Sequence, residues 1–515
     1  MTAELPDAPI GVVGAGTMGA GIAQVAAVGG LEVKIFDVAD GAADTARGRI
    51  ASFLERAVQR GKMTEGQAGA AVSRIDAVSS LEELGDCFLV AEAVAEKLEI
   101  KQELFSKLAR VTTPGTVFAT NTSSLPVTAV AALVPQQERV VGMHFFNPVP
   151  LMRLVEVIAG LNSSPEALAT ARAVGAAMGR DVIDANDGPG FVVNRVSRPF
   201  LLEAQQLITE GVADAATIDR AVRLGGGFRM GPLELSDLVG IDVGYDIARS
   251  FYELGHGEPR WRPSGIPAQL IAAGRLGRKS GHGYYEYPEG GTYRPEDPSP
   301  QMIETASGAV DVIGQTQLAH ELRRLAEAAG YAVDAPADVP RTITIDARIA
   351  TAGQDIDRAR GPVAVLCAGN SLAAAARGRD FAGFHCLPPL GEARAVEVTR
   401  AAATSDETWT VTRHFFHAIG KHLIEVGDAP GLVLGRIVCQ LINEASFALQ
   451  EGVGSAADID KGVALGLNYP RGLFAWRDAI GGHQVLATLD ALQREVGGDR
   501  YRAAGCLRRA VYEGR

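Results

Sequence analysis

The chain has 515 residues (54.0 kDa), room for three to four domains, and its 47% hydrophobic and 21% charged content is that of a globular chain rather than a disordered one. A net charge of −12 and a pI near 5.4 argue against nucleic acid or an anionic membrane as the main partner. Five scattered cysteines without a C-x-x-C predict free thiols in a reducing compartment, and neither a basic-then-apolar leader nor an 18-residue apolar run is found, so the expectation is a soluble cytoplasmic protein with no membrane span and no structural metal site.

A short β-branched run, Ile10 to Val13, ends in Gly14-Ala-Gly16-Thr17-Met18-Gly19. A small-residue helix follows, then a second run, Val33 to Phe36, closed by Asp37. Gly14 permits the tight turn, Gly16 lets the backbone approach a pyrophosphate, and Gly19 lets the helix pack on the strand. The helix N-terminus supplies free N–H groups for the phosphates. Asp37 stands where it can accept hydrogen bonds from the adenosine ribose, and its carboxylate would repel a 2′-phosphate, so NAD is favoured over NADP. Further strands are expected at Cys87 to Val94, Thr116 to Thr120 and Val140 to Met143, with a helix at Leu98 to Leu108, building a doubly wound parallel sheet. Between the second and third strands, Asp40 to Ser80 reads as a helical hairpin carrying Arg47, Arg49, Arg56, Arg60 and Lys62. Its basic face suits either solvent or a phosphorylated ligand.

Three segments carry chemistry. Asn121-Thr-Ser123-Ser124 and His144-Phe-Phe-Asn147 each follow a strand, and Glu156 lies twelve residues after His144. Polar residues at the C-terminal ends of parallel strands face the crevice where such sheets bind ligands. A histidine there can take a proton near neutral pH, and a carboxylate on its far nitrogen would fix the tautomer. His144 alone would read as a structural histidine, and the pairing with Glu156 is what points to catalysis.

These segments, with Glu92–Lys97, Pro189–Arg195, Met230–Leu235 and Gly277–Tyr285, run collinearly from about residue 8 to 287 and resemble the L-3-hydroxyacyl-CoA dehydrogenase family. The resemblance implies an N-terminal NAD domain, a helical domain after it, and acyl-CoA as substrate. It further implies His144 as general base, Glu156 as its partner, Ser123 as a donor to the substrate oxygen and Asn194 as the last member of the polar cradle. Cofactor contacts would fall on Gly14, Gly16, Thr17, Met18, Gly19, Asp37, Glu96, Lys101, Ser123 and Lys279, and Arg56 or Lys62 would serve the CoA phosphates. A non-catalytic nucleotide-binding or structural protein on the same fold is the alternative, and the intact Ser123, His144, Glu156 and Asn194 set argues against it. A different hydroxyacid dehydrogenase is a third reading, which the basic insertion and the repeat below disfavour.

From Pro189 the pattern turns helical, with helices expected from Gly190 and over Val212 to Leu224, and Pro295–Pro300 reads as a linker. The chain then repeats itself. Residues 142–240 match 383–481 without a gap at an offset of 241, with 33 identities in 99 positions. His144 is answered by His385 and Glu156 by Glu397, but Asn194 by Gly435, and no G-x-G-x-x-G occurs in the second copy. Strand-like pieces at Arg341–Ile345 and Val363–Leu366 suggest a shrunken nucleotide domain, and His385 is expected to be non-catalytic. The His414, His417, His422 cluster reads as a surface helix rather than a metal site. The expected layout is an α/β doubly wound, Rossmann-like domain (1–186), a helical dimerisation-type domain (187–300), a linker and degenerate nucleotide-domain remnant (301–425), and a second all-α domain (426–515). The helical domains are expected to pair within the chain, and a homodimer is a further possibility. Asn468-Tyr-Pro470, Ala475-Trp476 and Asp499–Arg502 look most like the long bacterial members of phenylacetate degradation, which act on 3-hydroxyadipyl-CoA. Other long members act on 3-hydroxybutyryl-CoA.

Overall fold

A computed structural model of the chain describes residues 5–289, 293–294, 296–297, 306–336, 338–349, 351–356 and 361–514. The expected linker Pro295–Pro300 lies mostly outside them. Two compact units are present: Met1–Arg195 joined by Glu451–Leu467, and Val196–Gln450 joined by Asn468–Arg515.

The first unit holds an eight-stranded sheet: β1 (Ile10–Val13), β2 (Val33–Phe36), β3 (Ile75–Ala77), β4 (Leu89–Glu92), β5 (Val117–Thr120), β6 (Val140–Phe145), β7 (Leu154–Ala159) and β8 (Asp181–Asn186). Its order is β3-β2-β1-β4-β5-β6-β7-β8, parallel except for the antiparallel β6–β7 pair. Strands β1, β4 and β5 are buried along their whole length, as expected of apolar runs covered by helices on both faces. The insertion after β2 is a helical hairpin, Ala42–Gln59 and Glu65–Ser73, the second helix closed by a Thr64/Gln67 capping box.

The second unit holds more strands than the two pieces expected at Arg341–Ile345 and Val363–Leu366. It contains a seven-stranded sheet: β9 (Ala309–Ile313), β10 (Ala332–Val333), β11 (Arg341–Asp346), β12 (Val363–Leu366), β13 (Phe381–His385), β14 (Ala395–Arg400) and β15 (His422–Glu425). The order β10-β9-β11-β12-β13-β14-β15, with only β13–β14 antiparallel, is that of the first sheet without its β3. The sheet has a layered core of its own, with Val310, Ile345, Leu366 and Phe384 fully buried in it. His422 is a correction: it lies buried on β15, while His414 and His417 sit on the helix Asp406–Ala418.

Helices fill the rest of the second unit. The helix expected over Val212 to Leu224 is capped by Asp214, runs Ala215–Arg220 and ends in a π turn, Ala221–Gly225. Helix Arg198–Thr209 packs against Leu434–Gln450, with Arg436 fully buried between them. Its guanidinium pairs with Glu203, with Glu210 at 2.5 Å and with the Tyr501 hydroxyl at 2.6 Å. Removing one partner of such a buried pair costs about 3–5 kcal/mol, because a charge is left uncompensated. All five cysteines are free, and burial pushes the Cys87 and Cys439 thiols up to about 12. Among the described residues no helix is long and apolar enough to cross a membrane.

Candidate active site

The glycine turn after β1 is sterically fixed. Gly14 has a φ of 101°, and a Cβ there would lie 2.6 Å from the Ala93 carbonyl oxygen. A Cβ on Gly19 would run into the Gly14 carbonyl, whereas one on Gly16 would point into open space. The turn thus presents a bare backbone face and the N-terminus of helix Thr17–Val28 to a ligand. Asp37, just past β2, accepts from the Ala15 N–H at 2.6 Å and from the Ala39 N–H at 2.9 Å, which holds its carboxylate beside the turn. Arg49 of the insertion donates to the Ala15 carbonyl at 2.7 Å, so this cation braces the turn. Arg56 stacks over the exposed Phe53 ring at 4.5 Å.

Glu96 and Lys101 form the second element. Glu96 Oε1 accepts from the Thr122 hydroxyl at 2.6 Å and from the Ser123 N–H at 2.9 Å, tying the β4 end to the Asn121–Ser124 loop. Burial alone would raise the Glu96 carboxyl; the Lys101 ammonium and these hydrogen bonds outweigh it and hold it below the usual range. Lys101 is completely buried, and its ammonium bonds Glu92 at 2.8 and 3.0 Å and Glu96 at 2.9 Å. Its three donors are therefore engaged by the two carboxylates. Glu92, fully buried and also bonded by the Thr120 hydroxyl and the Val94 N–H, is a residue the sequence reading did not single out.

His144 and Glu156 face each other across the antiparallel β6–β7 pair. The His144 Nδ1 to Glu156 Oε2 distance is 2.6 Å, and both side chains are buried. The carboxylate accepts there, so Nδ1 carries the proton and Nε2 keeps its lone pair for chemistry. Glu156 Oε1 accepts the N–H groups of Val192 and Val193 at 3.1 and 3.0 Å. Gly190 and Phe191, with φ of 70° and 52°, turn those groups toward it. Phe146 and Phe191 flank the imidazole at 4.6 and 5.9 Å. Ser123 is exposed on the loop after β5, and Asn194 follows the Val192–Val193 pair on the short helix Val193–Val196. Lys279 lies in the second unit, paired with Asp242 at 2.5 Å.

The family model of the 3-hydroxyacyl-CoA dehydrogenase NAD-binding domain matches residues 9–188. That of the C-terminal domain matches residues 190–287 and 431–515. The chain belongs to the 3-hydroxyacyl-CoA dehydrogenase family. It is 36% identical over 505 residues to the 3-hydroxyadipyl-CoA dehydrogenase of Escherichia coli (strain K12), covering 98% of each chain. It is 43% identical over 278 residues to a probable 3-hydroxybutyryl-CoA dehydrogenase of Bacillus subtilis, a match that takes in 54% of this chain and 96% of the relative. Among solved structures, a 3-hydroxybutyryl-CoA dehydrogenase from E. coli K12 superposes with a TM-score of 0.83 at 34% identity over 99% of both chains. The bare face at Gly16 and the carboxylate of Asp37 beside it fit the NAD that the domain implies.

The second half of this family member holds a matching but altered site. Val433 and Leu434 donate to Glu397 as Val192 and Val193 do to Glu156. Asp428 caps the Leu372 and Ala373 N–H groups as Asp187 caps those of Val127 and Thr128. His385 Nδ1, however, stands 3.7 Å from Glu397, and neither ring nitrogen has a hydrogen-bond partner. The turn after β9 differs as well. Thr316 caps the helix that follows, and Arg323 donates to the Val312 carbonyl at 2.5 Å and the Gly314 carbonyl at 2.8 Å.

Proposed function

We propose that the chain oxidises a (3S)-3-hydroxyacyl-CoA to the 3-oxoacyl-CoA, reversibly, with His144 as general base. Bound NAD supplies the hydride acceptor. His144 Nε2 takes the 3-hydroxyl proton, and Glu156 keeps the imidazole in the required tautomer and stabilises the imidazolium that forms. In the reverse direction the imidazolium returns that proton. Ser123 and Asn194 hydrogen-bond the oxygen on which charge develops. Gly14, Gly16, Thr17, Met18 and Gly19 hold the pyrophosphate, Asp37 the ribose, and Glu96 with Ser123 the nicotinamide side, while Lys101 positions Glu96. Lys279 is a further cofactor contact, and Arg56 or Lys62 meets the CoA phosphates. The observation that carries the reading is the 2.6 Å pair of His144 with a Glu156 whose other oxygen is anchored by two N–H groups. NADH-dependent reduction of acetoacetyl-CoA tests it: turnover is expected, and none at any substrate level would leave a nucleotide-binding protein without this activity.

For the acyl tail the proposal is 3-hydroxyadipyl-CoA or a short chain such as 3-hydroxybutyryl-CoA, the substrates in the names of the two E. coli matches that run end to end. The ratio of kcat/KM for the two substrates decides between them. The architecture is read as a duplication with domains at 1–186, 187–300, 301–425 and 426–515. The repeated strand order, the second C-terminal-domain match and the equivalent Glu156 and Glu397 anchors support it. The two long helices around Arg436 then pair within one chain as two subunits would. The second half retains the packing and serves no chemistry of its own.

A further inference from the structure

The first unit contains a piece of the second half. Residues Glu451–Leu467 pack with Met1–Arg195, and helix Ala456–Leu467 lies against β7 and β8. Four polar contacts pin it there. Glu451 pairs with Arg195 at 2.6 Å. The Val453 and Gly452 carbonyls accept from the Asn186 backbone and side chain at 2.8 and 2.7 Å. Lys461 donates to the Val182 carbonyl at 3.2 Å.

Its apolar contacts converge on the His–Glu pair. A Cβ on Gly454 would stand 2.7 Å from Val192 Cγ2, and one on Gly462 would stand 3.0 Å from Val193 Cγ2. A Cβ on Gly466 would meet Leu154 Cδ2 at 2.9 Å, Val193 Cγ1 at 3.3 Å and Phe146 Cε1 at 3.6 Å. Val192 and Val193 are the residues whose N–H groups hold Glu156, and Phe146 is the ring beside His144. The missing side chains let the helix backbone press directly on that turn.

The arrangement is reciprocal. In the second unit Arg436 pairs with Glu210, and the Val212 carbonyl accepts from the Gly427 N–H at 2.7 Å. Each of these is the 241-residue counterpart of a contact above. Such swapped pairs are the signature of a two-fold interface, here written into one chain.

We propose that Glu451–Leu467 is a positioning element for the His144–Glu156 pair: it clamps Val192 and Val193 so that their N–H groups stay on Glu156, and it seats Phe146 against His144. This rests on the reading of His144 and Glu156 as the catalytic pair. The second half, without a working site, is thereby required for the chemistry of the first.

The test is Gly462→Ala, which favours helix but crowds Val193 Cγ2 and Ile183 Cδ1, at 3.0 and 3.1 Å from the new Cβ. The neighbours must give by a few tenths of an ångström. A misplacement of about 1 Å can cost on the order of 10²-fold in rate, so kcat is expected to fall by roughly threefold or more while KM for NADH holds. Gly462→Ala with Val193→Ala removes the contact with Val193 and leaves that with Ile183, and it is expected to restore part of kcat, a rescue that general destabilisation would not give. Gly225→Ala, whose Cβ meets Leu434 at 2.9 Å beside the second pair, is expected to leave kcat unchanged. Full kcat in Gly462→Ala, no rescue by Val193→Ala, or an equal loss in Gly225→Ala would overturn the proposal. If Gly462→Ala fails to fold, Glu451→Gln is read in its place: a lower kcat at constant KM for NADH supports the clamp, and an unchanged kcat sinks it. The two readings separate in the same assay. An inactive His144→Ala beside a fully active Gly462→Ala removes only the clamp, whereas an active His144→Ala removes the catalytic reading beneath it.

Discussion

His144–Glu156 and His385–Glu397 occupy the same place in two sheets of the same order, across antiparallel strands in the same register. Both glutamates are held by two consecutive backbone N–H groups. The pairs part at the imidazole, 2.6 Å from its carboxylate in the first and 3.7 Å in the second. The cause is visible one turn away. Gly435 stands where the first half has Asn194, and a Cβ on Gly435 would run into the His385 ring. The His385 imidazole occupies the space an asparagine side chain would need and stands away from its carboxylate. The two halves share the bonds that shape the backbone and differ in the bond between imidazole and carboxylate. Packing and chemistry in this fold are therefore separable residue by residue.

His144→Ala breaks the comparison most severely. General-base contributions run to roughly 10²–10⁴-fold, and a fall of that size in acetoacetyl-CoA reduction is expected, with NADH binding by fluorescence titration retained. Turnover near that of the unaltered enzyme would make the two pairs equally inert. Deleting residues 310–515 comes next. It strips Arg436 from Glu203 and Glu210 and Glu451 from Arg195, and it bares the apolar side of helix Arg198–Thr209. Size-exclusion chromatography should show aggregation or pairing between chains, and a well-behaved active monomer would contradict the packing role of the second half.

Asp37→Ala sharpens the cofactor side of the comparison with a smaller effect. Asp37 is held beside the turn by the Ala15 and Ala39 N–H groups, and its charge is what should exclude a 2′-phosphate. The ratio of kcat/KM for NADH over NADPH should fall while NADH is still bound. A preference for NADPH in the unaltered enzyme would sink the cofactor assignment. In the second half Asp334, just past β10, is paired with Arg323 at 3.3 Å, so the corresponding acid faces a cation of its own chain.

Much of this was readable in the sequence where side-chain type and spacing carry the signal. Gly14, Gly16, Gly19, Asp37, His144 and Glu156 fall where turn chemistry and strand ends put them. Strand β3 was missed because three residues, Ile75–Ala77, are too few for a period to emerge. Most of the second sheet was missed for a related reason. The first sheet is announced by glycines; after β9 Gly314 stands alone, with Thr316 and Ala319 in place of the second and third. The anchor of Glu156 is invisible in principle, since its donors are backbone N–H groups of two valines. The contribution of Glu451–Leu467 was within reach: the 241-residue offset that pairs Arg195 with Arg436 and Glu210 with Glu451 already contained the swapped contacts.

The smallest expected effect is the most discriminating. His385 is buried, without a hydrogen-bond partner on either ring nitrogen and beyond bonding distance of Glu397. No bond to Glu397 sets its tautomer, and Thr316 stands in the turn after β9 where the first turn has the bare Gly16. His385→Ala should leave kcat and KM unchanged, and NADH titration should give one site per chain. Any cost should appear in thermal stability alone, because the ring fills space against Gly435 that alanine would leave open. His385→Asn separates packing from chemistry further, since it retains part of the volume without an imidazole and should recover part of that stability. Two NADH sites per chain, or a large loss of turnover in His385→Ala with the fold intact, would mean that the second pair works and that the contrast with His144 is one of degree.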